Sequence, residues 1–237
     1  YMELFNLGDA REAFEAYVQA RPNDIDAGFD YSNTLVMLGL HEEARSVVRR
    51  LADVIPRADA FNRGILVQHG TKSRDFALAA ELARETLADH PFHGFTLVES
   101  HRALIRAGDT DMAREVAERI AASEVGRIAQ MGVRLHQLCA DGDREAAAPL
   151  AERLSDHPQA YITAWHAQRA MGDDEAAYAR LLELDRPGPP PPRLRTLLVG
   201  DPGFDASQFA NLSQAILDAG GRIPDPAPAL VRCPPPG

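Results

Sequence analysis

The chain has 237 residues, a formal charge of −10 and a 45% apolar composition. That acidic balance argues against a nucleic-acid partner, which would need a broad basic face, and no run approaches the ~18 apolar residues of a membrane span. The two cysteines, Cys139 and Cys233, are too few for a disulfide framework and are not spaced as a metal site; no cofactor is expected either.

The sequence opens at Tyr1 on what reads as the end of a helix, Met2 to Leu7, so further residues are expected upstream. Lys72 is the only lysine, an arginine bias that suggests a GC-rich bacterial coding sequence. A reducing cytoplasm and a secreted setting both fit, with the cytoplasm favoured over the periplasm.

Internal repetition is the main signal. A phrase of an apolar residue, Gly, a polar residue, then Glu or Asp and Ala recurs around Gly8, Gly39, Gly108, Gly142 and Gly172. A degenerate copy surrounds Gly70, and the six glycines stand on average about 33 residues apart. Four residues before them come Leu4, Leu35, Leu66, Leu104 and Leu138, with Gln168 breaking the series. Five after come Ala13, Ala44, Ala113, Ala147 and Ala177. The Gly is expected to end one helix in the left-handed conformation, the next Asp or Thr to cap a second, and the Ala to let the two approach. Pro56, Pro91, Pro158 and, less regularly, Pro22 are expected to stop the second helix of each pair. About four extra residues, Thr71 to Asp75, predict a longer third loop or a shifted helix.

Over roughly Leu4 to Leu184 these residues resemble the tetratricopeptide repeat (TPR) family. The resemblance implies an all-α fold, a right-handed α-α superhelix or TPR-like solenoid. It also implies a concave groove lined by the first helix of each pair. The expected organisation is a repeat domain over 1–185, a Pro-rich linker over 186–203, a capping helix over 204–220 and an irregular Pro-rich tail over 221–237. On the apolar side of the capping helix stand Phe209, Leu212, Ile216 and Leu217.

No phosphate loop, nucleophile elbow or HExxH motif is present, so no catalytic residue is expected. The pair His90 and His93 reads as a turn, and Asp141 to Asp143 lacks the later oxygen ligands of a calcium loop. Placed by the resemblance, the groove-lining candidates are Phe29, Asn33, Met37, Gln68, Arg102, Arg106, His136, His166 and Arg169. Arginine pairs bidentately with carboxylates, so this set suggests a groove for an extended acidic peptide. The competing reading is a set of solvated residues balanced by acids on adjacent helices. The relatives that clamp a terminal carboxylate use lysines that are missing here.

The leading expectation is therefore a non-catalytic scaffold for a protein or peptide, with a homo-oligomer also possible. The alternative is the accessory helical region of a larger enzyme. The stretch from Ala160 to Asp173, followed by Pro202 to Phe204 and Phe209 to Asn211, loosely resembles a repeat region of some bacterial proteins. There it precedes a 2-oxoglutarate/iron oxygenase domain, whose iron-binding triad has no counterpart within this chain.

Overall fold

The computed structural model describes residues 7–156, 161–187, 192–228 and 230–235. Residues 2–6 of the expected first helix, the stop at Pro158 and the prolines within 188–191 lie outside them. Among the described residues every regular element is a helix. In order they are α1 (Leu7–Ala20), α2 (Ile25–Met37), α3 (His41–Val54), α4 (Ala60–Lys72), α5 (Phe76–Asp89), α6 (Gly94–Arg106) and α7 (Thr110–Ala121). Then come α8 (Arg127–Ala140), α9 (Arg144–Ser155), α10 (Tyr161–Met171), α11 (Asp174–Leu182), α12 (Pro192–Gly200), a short 3-10 helix (Ala206–Gln208) and α13 (Ala210–Asp218).

The recurring glycine is explained by the turn that follows α2, α6, α8 and α10. Gly39, Gly108, Gly142 and Gly172 all have positive φ, between 69° and 86°, where a side chain would be strained. At each, the residue after the glycine donates its N–H back to the carbonyl of Leu35, Leu104, Leu138 or Gln168, closing the helix end. The position four before the glycine thus has a main-chain role that Gln168 fills as well as leucine does. Asp109, Asp143 and Asp173 then accept from Met112, Ala146 and Ala176 and cap the following helix.

Two copies of the phrase behave differently. Gly8 lies inside α1 and ends nothing. Gly70 lies inside α4, and the turn falls four residues later at Arg74, the one described non-glycine residue with positive φ, 64°. There Asp75 N–H reaches the Gly70 carbonyl in the same closure. The extra residues therefore lengthen α4 and do not form a longer loop.

By packing, the chain divides into two compact units. One comprises Tyr1–Pro56, His69–Asp75 and Leu181–Ala227, the other Arg57–Gln68, Phe76–Arg180 and Pro228–Gly237. In the first, α2 packs against α1, α3 and α12. Leu35, Leu38, Ala44, Val48 and Leu51 are fully buried there. Ala13, expected at a helix contact, is exposed; α1 buries Leu7, Ala10 and Val18 instead. In the second unit α5 to α10 pack each against the next, and α6 meets α8 as α8 meets α10. Its core includes Leu104, Ala113, Val116, Ile120, Leu135, Ala147 and Leu154. Full burial of a leucine contributes roughly 1.5–3 kcal/mol, so the apolar register, more than helix propensity, holds these pairs.

The stretch expected as a Pro-rich linker contains a helix. Pro192 occupies the first position of α12, where its missing N–H costs nothing, and Leu194, Leu197 and Leu198 bury one face. The expected capping helix is broken into the 3-10 turn and α13. Phe204 and Phe209 stack at 5.0 Å on either side of that turn, and Leu217, expected on the apolar side, is half exposed. The residue preceding α13 offers no side-chain cap. Asp185 supplies one from a distance, its two carboxylate oxygens accepting from the N–H groups of Asn211 and Leu212, both at 3.0 Å.

Candidate binding surfaces

The nine groove candidates fall in both units, and each set stands by itself. In the first unit Phe29 and Met37 are core residues and do not line an open face. The Phe29 ring lies 4.7 Å from that of buried His69, whose Nδ1 is 3.0 Å from Ser32 Oγ. Asn33 accepts from Lys72 Nζ at 3.3 Å.

In the second unit Gln68 is half-buried. Arg102 donates to Glu99, a carboxylate almost entirely buried, at 3.0 Å, and keeps 37% of its own side chain exposed. Arg106 lies over the Phe76 ring and donates to the Pro228 carbonyl at 2.9 Å. Arg169 lies beside the rings of Trp165 and Tyr178, 4.9 and 5.9 Å from their centroids, and pairs with Asp174 at 3.1 Å. His136 is buried, with its ring 5.8 Å from that of His166.

Two buried histidines of this unit, His136 and His101, are pushed toward the neutral form. Burial pushes His136 well below the usual range, and His166, His101, Arg102 and Arg106 push it further the same way. His101, fully buried beside Gln137, is lowered to about 4 by burial, against a smaller upward pull from the Gln137 amide. Neither ring nitrogen of His101 has a hydrogen bond of good geometry. Arg102 and Arg106 both act on His136, and Arg102 keeps part of its guanidinium side chain in solvent. Among the described residues no three His, Cys, Asp or Glu side chains gather as a metal site would require.

A second surface was not foreseen from the sequence. Cys139, near the end of α8, is disulfide-bonded to Cys233 across 94 residues of chain. The C-terminal segment of this unit is held on both sides of that bond. Pro228 is bound by Arg106, Cys233 N–H donates to the Ala170 carbonyl at 2.8 Å, and Arg144 donates to the Pro234 carbonyl at 2.9 Å and to the Met171 carbonyl at 2.9 Å. Arg232 pairs with Asp174; burial pushes that carboxyl up, but the hydrogen bonds and charges of Arg232 and Arg169 together hold it below the ordinary carboxylate value. Val231 packs on a cluster formed by Leu135, Leu138, Ala167 and Ala170. The tail in the first unit is bound as well, with Arg222 N–H on the Leu38 carbonyl at 2.7 Å, Ala227 N–H on the Pro202 carbonyl at 2.8 Å and Arg74 on the Asp225 carbonyl. Residues 221–228 and 230–235 form no helix or strand, and each unit anchors its own part of the tail.

Arginines also staple successive turns. Arg45 donates to the Ser73 carbonyl, Arg84 to Asp109 and Arg114 to Asp141. Beside the last pair is a cavity of about 390 Å³ lined by Met131, Arg134, Gln137 and Leu150 among others. A more open cleft of about 560 Å³ lies between Phe92, Phe95, Val98 and Val125.

No protein-family model matches the chain, and no curated protein matches it. The structure itself defines an all-helical, repeat-like protein with paired helices and closed turns.

Proposed function

We propose that the chain is a non-catalytic scaffold, a TPR-like helical repeat array that binds a protein or peptide segment. The observation that carries this reading is the way the second unit already holds one irregular segment. Arg106 and Arg144 donate to its main-chain carbonyls and Ala170 accepts from its backbone, a mode that needs little of the bound sequence. The cationic face around Arg102 is the second element of the proposal. Its exposed guanidinium can share an incoming carboxylate with little loss, because Glu99 is approached from one side only by Nη1. Arg169 is the poorer candidate, since an acidic ligand would have to displace Asp174 and separate it from two rings.

The disulfide bears on where such a scaffold works. A thiol-rich cytoplasm keeps cysteines reduced, whereas Cys139 and Cys233 are joined and buried. We therefore place the protein in an oxidising compartment, where the sequence left the setting open and favoured the cytoplasm. The direct test offers one pool of acidic peptides to the immobilised wild-type chain and to Arg102→Glu. Retention by the wild type and loss by the variant, at equal helicity, is the expected result; equal retention removes the cationic face from the proposal.

A further inference from the structure

The strip that binds Pro228 and residues 230–235 combines four independent anchors. They are Arg106 and Arg144 on the carbonyls of Pro228 and Pro234, the Ala170 carbonyl on Cys233 N–H, and Asp174 on Arg232. Three of the four read main chain, so they are satisfied by any segment of similar course. Proline suits such a segment, because its fixed φ lowers the entropy lost on ordering and leaves the carbonyl free to accept. The noncovalent side-chain contribution is small: Val231 is only half-buried, and the Arg232–Asp174 pair is partly solvated. What distinguishes the resident segment from another of its kind is the covalent bond to Cys139.

We propose that this strip is a docking track for a proline-rich peptide, that the chain's own tail is its resident occupant, and that the Cys139–Cys233 disulfide is the latch that excludes competitors. This rests on the scaffold reading above and assigns that scaffold a ligand class and a means of control. Opening requires a dithiol. One of its thiolates attacks Cys233 Sγ, the S–S bond breaks, and Cys139 leaves as a thiolate that takes a proton. The second thiol then closes the reductant's own disulfide and frees Cys233 as a thiol, two electrons having passed to the protein. Both cysteines are under 10% exposed, so the tail must lift locally before attack, and a peptide that competes for the anchors speeds the reaction. Even with the latch open, the tethered tail competes at high effective concentration, so the track is fully available only when the tail's own anchors are weakened too.

The test therefore uses the full chain in two forms, oxidised wild type and Cys233→Ser/Arg232→Glu, which leaves every track residue in place and sets a carboxylate against Asp174. The probe is a fluorescein-labelled peptide carrying the sequence of residues 226–235 with Ser at the cysteine position, followed by anisotropy. The expected result is saturable binding to the double variant, at least ~100-fold tighter than to the oxidised wild type and lost when Arg144→Glu is added. Equal binding to both forms overturns the latch but leaves the scaffold reading standing. No binding to a double variant of wild-type helicity overturns the track, and the scaffold reading then depends on the Arg102 face alone. Should the double variant misfold, hydrogen exchange at the Cys233 amide of the wild type, before and after reduction by dithiothreitol, decides the matter. Because the tethered tail stays docked after reduction, protection should fall without vanishing; protection identical in the oxidised and the fully reduced chain overturns the latch.

Discussion

At Gly39 two demands meet on one residue. Its φ is +69°, and a Cβ there would also overlap the carbonyl oxygen of Arg222 in the docked tail. Gly108 has the same kind of backbone, φ +80°, with nothing within 4 Å of a would-be Cβ. Gly108→Ala should thus cost about 1 kcal/mol, from left-handed backbone alone, and Gly39→Ala clearly more, about 2 kcal/mol or above. Urea unfolding of the two variants side by side checks the difference; equal losses would mean the tail yields freely. The first demand could be read from the repeat, because a glycine that recurs where helices end signals left-handed backbone. The second could not, since nothing in the spacing of Gly39 and Arg222 predicts their meeting. His101 makes a similar point about the candidate site. It stands one residue from Arg102, a groove candidate, yet it is the fully buried member, held at about 4 by burial. Its unfolded value is near 6.5, so between those pH values the unfolded chain binds the extra proton. The associated stability is full above pH ~6.5 and is lost as pH falls toward 4, by up to about 3 kcal/mol for this ring. His69 and His136 act in the same direction. Urea midpoints should fall between pH 7 and pH 5, and His101→Leu should flatten that slope; an unchanged slope would mean the ring is not buried neutral.

The elements were legible where local chemistry decides them and obscure where a distant group does. Helix ends at Gly108, Gly142 and Gly172, with Asp caps following, are legible in the repeat and present in the fold. The third turn is displaced because α4 runs through Gly70 and closes at Arg74, and a sequence shows that four residues are extra without showing which element absorbs them. Likewise, a run of prolines ending at Pro192 suggests a break, yet Pro192 starts a helix, since proline is disruptive inside a helix and neutral at its first position. The start of α13 is the clearest case of distant control. Its cap comes from Asp185, which precedes the whole of α12 in the chain. Asp185→Ala should cost about 1 kcal/mol and deprotect the Asn211 and Leu212 amides in hydrogen exchange before others in α13. Protection that is unaltered at those two amides would show that water replaces the cap.

At the scale of the molecule, the apolar register of the pairs was visible in the sequence, while the cationic face was only half so. The family resemblance singled out Arg102, Arg106 and Arg169, but not their partners Glu99, Pro228 and Asp174, which neutralise or occupy much of the charge. The disulfide was missed because two cysteines 94 residues apart carry no spacing signal. In a chain-entropy picture a loop of that size contributes about 4–5 kcal/mol by restricting the unfolded state. Cys139→Ser/Cys233→Ser should therefore unfold at distinctly lower urea than the oxidised wild type and coincide with the reduced one. A midpoint that does not move would place the stabilisation elsewhere.

Tension applied to the two ends of the chain would be carried from residue 139 directly to residue 233, and the residues between them would bear none of it. An oxidised molecule stretched in an optical trap should stop about 330 Å short of the length it reaches after reduction, the contour of the 94-residue separation that the bond closes. Under load, then, α9 to α13 are shielded from the pull, and their unfolding would not lengthen the chain between its ends.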